Sequence, residues 1–152
     1  MGDLRGELEV EVQLKSPTDK FYDVFRGKVH HLPNCTQRIQ DVKLHEGEWH
    51  SHGSVKHWTY VLPDGKVESG KEKFYIDDEN KTLRFDFFEG DQLKDLKVFN
   101  AILKVSPKGD KGGVAHWTLE YERRNPSIPP PHHYLDFVVH LTKELDAALA
   151  SA

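Results

Sequence analysis

The sequence predicts an α+β domain in which one long terminal helix lies across a curved antiparallel sheet. Three patterns lead to this fold class: an alternating opening segment, a series of strand-like segments between short turns, and an amphipathic final segment. Short turns favour antiparallel neighbours, because parallel strands need much longer crossovers. Because 152 residues can bury a sizeable core, we expect residues 1–152 to form a single domain.

The first part of the chain predicts one strand followed by two short helical segments. In LEVEVQL, apolar and polar residues alternate, which indicates a strand with one wet face. In the following SPTDKFYDVF, Ser16 is expected to cap a short helix whose apolar stripe contains Phe21, Val24 and Phe25. The phrase VHHLPN at 29–34 predicts a second short turn or helix.

Six further strands and one long helix complete the predicted order. NPSIPPP is a stiff connector, and the segment after it, 132–152, repeats apolar residues at helical spacing over roughly five turns. With this helix on one face of the sheet, the domain is of the α+β class. The strand-like segments are 39–46, 55–62, 66–77, 82–88, 96–105 and 114–123.

Composition and charge exclude several classes of protein. The net charge of −4 and well-mixed charged residues, 30% of the chain, make nucleic-acid binding a poor hypothesis. The lone cysteine, Cys35, cannot form an internal disulfide and suits a reducing compartment. No apolar run is long enough to span a bilayer, and the acidic, alternating start is not typical of a secretory signal. We therefore expect a cytoplasmic protein without membrane insertion.

The phrase HEGEWHSHGS raises the question of a metal site. On an extended chain Glu48, His50 and His52 share one side, and two imidazoles with one carboxylate could bind a metal. At the tip of a hairpin, however, these side chains would be mobile and exposed, which is a poor way to hold ligands rigidly. The histidine pairs at 30–31 and 132–133 are not natural chelates either, because adjacent residues of a helix point apart. We expect no metal, and a solvated loop that serves as a lid at a pocket mouth.

Several phrases of the chain resemble the major latex protein branch of the Bet v 1-like plant proteins. They are HHLPN (30–34), LHEGEW (44–49), GSVKHWTY (53–60), KEK (71–73), EGD (89–91), WTLEYE (117–122) and YLDF (134–137). The resemblance implies the helix-grip, START-like fold: a seven-stranded curved antiparallel sheet around a long C-terminal helix, with two short helices forming a V. It also implies a large internal cavity that binds hydrophobic plant metabolites or lipids without a cofactor.

The loop after the second predicted strand departs from the wider Bet v 1-like pattern. In that group this loop is rich in glycine and looks like a phosphate cradle. Here it contains only Gly47 and Gly53, with Trp49 and two histidines between them. Backbone amides cannot easily form an anion-binding nest in such a loop, which counts against nucleotide or phosphate binding.

The apolar faces of the predicted strands and of the final helix either fill an ordinary core or line a pocket. An empty void of about 300 Å³ would cost roughly 7 kcal/mol, so some polar groups should face into a large cavity. The candidates are Tyr121, Tyr134 and His140, with Thr118 and Lys71 as further options. The expected ligand-binding residues are Val10, Phe74, Phe85, Phe87, Phe99, Leu103, Trp117, Leu119, Tyr121, Tyr134, Phe137, Val138 and Leu141.

Two functions remain open at this point. The first is binding and transport or sequestration of a hydrophobic small molecule, either a plant secondary metabolite or a lipid, by a monomer or weak homodimer. The second is a cofactor-independent cyclase or isomerase of an alkaloid or iridoid intermediate, for example in a nepetalactol-type cyclisation, as the resemblance implies. The sequence identifies no catalytic residue, but Tyr121, His140 and Tyr134 are candidates for moving a proton.

Overall fold

The computed structural model describes residues 3–108 and 112–151, so the ends of the expected domain and part of the turn at 107–113 lie outside the described residues. Within this part of the chain no helix is both long and apolar enough to cross a membrane. The strands are β1 (Arg5–Leu14), β2 (Ile39–Glu46), β3 (Val55–Val61), β4 (Val67–Asp77), β5 (Thr82–Gly90), β6 (Leu96–Pro107) and β7 (Gly113–Arg123). The helices are α1 (Thr18–Gly27), α2 (His132–Ala150) and two 3₁₀ helices, Val29–Asn34 and Asp91–Lys94.

The seven strands form one antiparallel sheet in the order β1-β7-β6-β5-β4-β3-β2. Register shifts occur within β2, between Lys71 and Glu72 in β4, and between Leu96 and Val98 in β6. Such bulges bend a strand and increase its twist, which allows the sheet to curve. The α+β, helix-grip fold is confirmed, and the predicted strands end within a few residues of the observed ones.

The core lies between the inner face of the sheet and the two α-helices. In β7 the residues Ala115, Trp117, Leu119 and Tyr121 are buried, and the residues between them are only half-buried. The helix α2 buries the stripe that its periodicity predicted, because residues three and four apart share a helix face. Its buried apolar residues are Tyr134, Phe137, Val138, Leu141 and Leu145.

The predicted role of Ser16 as a helix cap is wrong. The cap position of α1 is occupied by Pro17, and no side chain donates or accepts a capping hydrogen bond there. Ser16 is fully buried instead, and its hydroxyl donates to Asp146 of α2 at 2.6 Å. A contact 130 residues away in the chain therefore replaces the local one that the sequence suggested.

Two acidic residues attach the last turns of α2 to the rest of the fold. Asp146 accepts hydrogen bonds from the backbone N–H groups of Lys15 and Ser16, both at 2.9 Å, as well as from the Ser16 hydroxyl. Glu144 accepts from Thr36 at 2.7 Å and from Arg38 at 3.0 Å. Burial raises the pKa of Glu144, but these hydrogen bonds outweigh it and hold the pKa below its usual value.

Asp146→Ala should destabilise the fold by about 3 kcal/mol, because it leaves the buried N–H and hydroxyl of Ser16 without an acceptor. Urea unfolding measures this loss. The matched control is Asp136→Ala, an exposed position on the same helix, which should change stability by less than about 0.5 kcal/mol. Equal stabilities of the two variants would contradict the anchoring role of Asp146.

Candidate functional site

A cavity of about 70 Å³ lies between the inner face of the sheet and the two α-helices. Aromatic rings form most of its wall: the ring centroids of Phe25 and Trp117 are 5.5 Å apart, and those of Phe99 and Tyr134 are 4.9 Å apart. The lining residues are Phe25, Ile39, Trp58, Tyr60, Phe85, Phe87, Gln92, Phe99, Ala101, Trp117, Tyr134, Phe137, Val138 and Leu141.

The cavity is much smaller than the one expected from the family resemblance. A pocket for a drug-sized ligand has at least about 300 Å³, whereas this cavity has about 70 Å³. At about 24 cal/mol per Å³, a void of this size costs only roughly 2 kcal/mol instead of roughly 7. Side chains of the core fill most of the space that a large cavity would leave empty.

Eight of the thirteen expected ligand-binding residues line this cavity, namely Phe85, Phe87, Phe99, Trp117, Tyr134, Phe137, Val138 and Leu141. The other five, Val10, Phe74, Leu103, Leu119 and Tyr121, lie on the same inner face but pack into the core away from it. Strand alternation assigns a side chain to a face. It does not say which part of that face the helices leave uncovered. The sequence therefore predicted all thirteen residues at the cavity, although five of them pack elsewhere on the same face.

Six lining residues were missing from the expected set: Phe25, Ile39, Trp58, Tyr60, Gln92 and Ala101. A signal existed for most of them. Phe25 belongs to the predicted stripe of α1, while Trp58 and Tyr60 alternate in β3 in the manner of a buried face. Gln92 gave no signal, because it lies in a short 3₁₀ helix within a phrase that reads as a polar turn.

The three catalytic candidates fall in different environments. Tyr134 lines the cavity. Tyr121 is buried at the β1 edge, where its ring lies so close to Gly6 that a Cβ at that position would overlap its hydroxyl. His140 is exposed on α2, so the expectation that it faces inward is wrong. Its position on the helix falls outside the buried stripe that Phe137 and Leu141 define.

The polar groups at one end of the cavity form a connected cluster around the buried carboxylate of Glu68. The hydroxyl groups of Tyr60 and Tyr134 both donate to Glu68 Oε1, at 3.0 and 2.7 Å. Gln92 Nε2 in turn donates to the Tyr60 oxygen. Burial, reinforced by contacts within the cluster, raises the pKa of both tyrosines, so both remain protonated donors.

A second buried polar group lies on the same inner face, where Lys56 of β3 pairs in register with Glu72 of β4. Glu72 Oε1 accepts a hydrogen bond from the indole of Trp58 at 2.9 Å, and Glu72 Oε2 has no partner among the described residues. The Lys56 ammonium lies 3.8 Å from the centroid of the Phe74 ring and donates to Ser54 at 3.2 Å. Burial lowers the pKa of Lys56 and raises that of Glu72 to about 7, and the attraction between them opposes both shifts.

Strand parity explains why Lys71 and Thr118 were wrong choices for inward polar groups. Phe74 faces inward, so Glu72 shares its face and Lys71 lies on the other side of β4. Lys71 forms an ion pair with Glu89 at 3.2 Å on the outer surface. Thr118 likewise lies between two buried residues of β7 and faces outward. The same counting would have identified Glu72 from the sequence.

Comparisons with known proteins agree with this architecture. Residues 3–152 match the Pathogenesis-related protein Bet v 1 family. The chain belongs to the Bet v 1 family. It is 40% identical over 149 residues to MLP-like protein 43 of Arabidopsis thaliana, which covers 96% of this chain and 94% of that protein.

Solved structures of Bet v 1-like proteins show the same fold. Ginseng major latex-like protein 151 from Panax ginseng superposes with a TM-score of 0.90 and 35% identity, over 95% of this chain and 97% of that one. The expected resemblance to major latex proteins is thereby confirmed. A norcoclaurine synthase from Thalictrum flavum has a TM-score of 0.67 and 20% identity, over 95% of this chain and 98% of that one, which is a likeness of fold alone.

The β2–β3 hairpin loop of this Bet v 1 family member is tied to the neighbouring elements and does not serve as a lid on the cavity. The Trp49 ring packs against His30, with centroids 4.2 Å apart. Arg26 of α1 donates to the carbonyl of His50 at 3.0 Å. No residue of this loop lines the cavity, so its expected position at the mouth is wrong.

The geometry of the same loop gives no support to a metal site. Glu48 and His50 contact each other at 3.3 Å, whereas His52 Nδ1 accepts a hydrogen bond from the N–H of Ile76 at 2.9 Å. The three side chains therefore have different partners. Across residues 3–108 and 112–151, no group of three or more His, Cys, Asp or Glu side chains is placed to share a metal ion.

Glu72→Gln should remove a pH-dependent loss of stability. Folding raises the pKa of Glu72 from 4.5 to about 7, so the free energy of unfolding falls as the pH rises through that interval. A shift of this size corresponds to a pH-dependent change of about 3 kcal/mol in the free energy of unfolding, which a glutamine cannot show because it does not titrate. Urea unfolding at pH 5 and pH 8 measures the difference, with the exposed Glu7→Gln as the matched control. The same pH dependence in both variants would contradict the assignment.

Proposed function

We propose that the protein binds a hydrophobic small molecule in the cavity beneath α2, and that it carries or sequesters this ligand in the cytoplasm. The observation that supports the proposal is a cavity whose wall consists of aromatic and aliphatic side chains, with the polar cluster around Glu68 directly behind one end of it. Small-molecule sites have this composition, since apolar contact provides affinity and a few polar groups orient the ligand. A plant secondary metabolite or a lipid fits this description, and membership of the Bet v 1 family is consistent with it.

Ligand binding must enlarge the cavity, because about 70 Å³ holds little more than two water molecules. The side chains that can make room belong to α2, where Tyr134 and Phe137 form one wall. The rings of Phe137 and Tyr60 are in tilted contact, with centroids 5.1 Å apart. A ligand that separated these rings would replace their mutual contact with its own. The closed state then protects the empty protein from the cost of a large void.

Ala101→Leu should weaken ligand binding by at least about tenfold, because its added carbon atoms occupy the cavity. Stability should stay the same or rise by up to about 1 kcal/mol, as cavity filling usually does. Titration with the dye anilinonaphthalene sulfonate, followed by displacement with plant lipids and polyphenols, measures the affinity. Quenching of Trp58 and Trp117, which both line the cavity, reports binding at the site.

The matched control for this substitution is Ala147→Leu, on the exposed side of α2. It adds the same side chain outside the cavity and should leave the affinity unchanged. A folded Ala101→Leu protein that binds the dye as tightly as the control would exclude the cavity as the binding site. Absence of saturable binding to the unmodified protein would end the proposal.

The second candidate function is a cofactor-independent cyclase or isomerase that uses the same cavity. The observation that favours it is Glu72, a buried carboxyl group that lies one hydrogen bond behind the cavity wall and whose pKa is raised by burial to about 7. A group of this pKa can both accept and release a proton near neutral pH. Its hydrogen-bond partner Trp58 lines the cavity, as does Tyr134, the one sequence candidate for proton transfer found there. A reactive alkaloid or iridoid intermediate would be the substrate.

If the protein is such an enzyme, it should change the product ratio from a reactive precursor, and Tyr134→Phe should lower the rate by about a hundredfold. The matched control is Tyr75→Phe, a tyrosine outside the cavity. Product ratios measured by chromatography, with and without protein, test the first point. Identical ratios would remove the enzyme hypothesis and leave the binding function as it stands.

A further inference from the structure

The amide of Gln92 has an acceptor that the fold leaves unused. Gln92 is buried, with 2% of its surface exposed, and it lies at the wall of the cavity. The surface that this wall presents is apolar, so the amide oxygen meets a ligand only when the cavity enlarges. The Oε1 atom of Gln92 has no hydrogen-bond partner among the described residues. An unpaired buried polar atom costs about 1–3 kcal/mol, so a well-packed interior seldom keeps one without a reason.

The surrounding hydrogen bonds determine which atom of the amide is left free. Tyr60 and Tyr134 both donate their protons to Glu68 Oε1, and the ammonium of Lys66, 3.8 Å from Glu68 Oε2, supplies a positive charge beside this acceptor. Since the Tyr60 proton is already used, its oxygen can only accept, and Gln92 must present its NH₂ group there. In this hydrogen-bond network Oε1 is the unpaired atom.

Two glycines create the space in which this amide lies. A Cβ added to Gly70 would overlap the carboxamide of Gln92, and one added to Gly90 would lie 2.8 Å from Oε1. Gly90 also has a φ of 136°, a backbone conformation that side chains other than glycine rarely adopt. Strands β4 and β5 thus lack side chains at the places where the amide packs. The sheet itself therefore provides the space for the Gln92 amide.

The amide also lies between the cavity and an outer cleft. Gln92 and Tyr134 line both the cavity and an outer cleft of about 370 Å³, whose wall includes Lys66 and His133. The polar cluster is therefore the partition between the apolar interior and this cleft. A ligand in the cavity would have its polar end at the partition and its apolar body beneath α2.

We infer that the ligand is an apolar molecule with one hydroxyl group, and that this hydroxyl donates a hydrogen bond to Gln92 Oε1 at the cleft end of the cavity. This inference rests on the proposed binding function and adds the chemical class of the ligand. A hydroxyl matches the site because it supplies the missing donor, while the rest of the wall offers few polar partners to a water molecule. Sites built to hydrogen-bond a hydroxyl group discriminate strongly against analogues without it.

The test compares thymol with thymol methyl ether, which has the same ring but no donor, and with para-cymene, which lacks the oxygen. Isothermal titration calorimetry should show thymol binding about tenfold more tightly than its methyl ether. In Gln92→Met, which keeps the length of the side chain but loses the amide acceptor, this preference should fall to within about threefold. The matched control is Gln40→Met, an exposed position on β2, which should keep the full preference.

The outcomes separate this inference from the binding function itself. Equal affinities for thymol and its methyl ether in the unmodified protein, or an unchanged preference in Gln92→Met, would overturn the role of Gln92 and leave apolar binding intact. Failure of all three compounds to bind would overturn both. A second readout needs no substitution: the side-chain amide resonances of Gln92 should shift more with thymol than with the methyl ether, and equal shifts would overturn the inference.

Discussion

The constraint on which the rest of this structure depends is the attachment of α2 to the inner face of the sheet by buried polar contacts at both ends. At its start, Tyr134 donates to Glu68 at 2.7 Å; near its end, Asp146 accepts from Ser16 at 2.6 Å. Between them the indole of Trp117 donates to Thr142 at 2.8 Å. Because hydrogen bonds are directional, these contacts determine where the helix lies along the sheet, whereas apolar packing alone would tolerate sliding.

The polar interior has a thermodynamic consequence. Glu68, Glu72 and Lys56 are buried in a region of mostly aromatic side chains, where an ionised group loses the solvation of water. Such groups do not add much net stability over apolar residues of similar size, although removing one partner is costly. Their presence is better explained by function or by the positioning of the helix. Glu68 positions the helix, since it accepts hydrogen bonds from both Tyr60 of β3 and Tyr134 of α2.

The small volume of the cavity follows from the limited stability of the domain. A hollow large enough for a metabolite would consume much of the roughly 5–15 kcal/mol by which a domain is stable, and the structure avoids this by letting side chains fill most of the space. Both proposed functions, carrier and catalyst, would require the same opening of the cavity beneath α2. The family relationship and the fold therefore do not distinguish them. The polar residues at which the proposals can be tested are Gln92 at the partition and Tyr134 at the cavity wall.

The sequence by itself determined the strands, the long helix and the side of each element that faces inward, because these depend only on spacing along the chain. Trp117 and Phe137 could be assigned to the interior on this basis, and the parity of Phe74 would have added Glu72. The spacing of Phe137 and Leu141 likewise leaves His140 outside the buried stripe of α2. Only the tertiary structure decided the volume of the cavity and the position of Gln92. These features result from how closely α2 approaches the sheet and from contacts between residues far apart in sequence. Local periodicity carries no information about such distances.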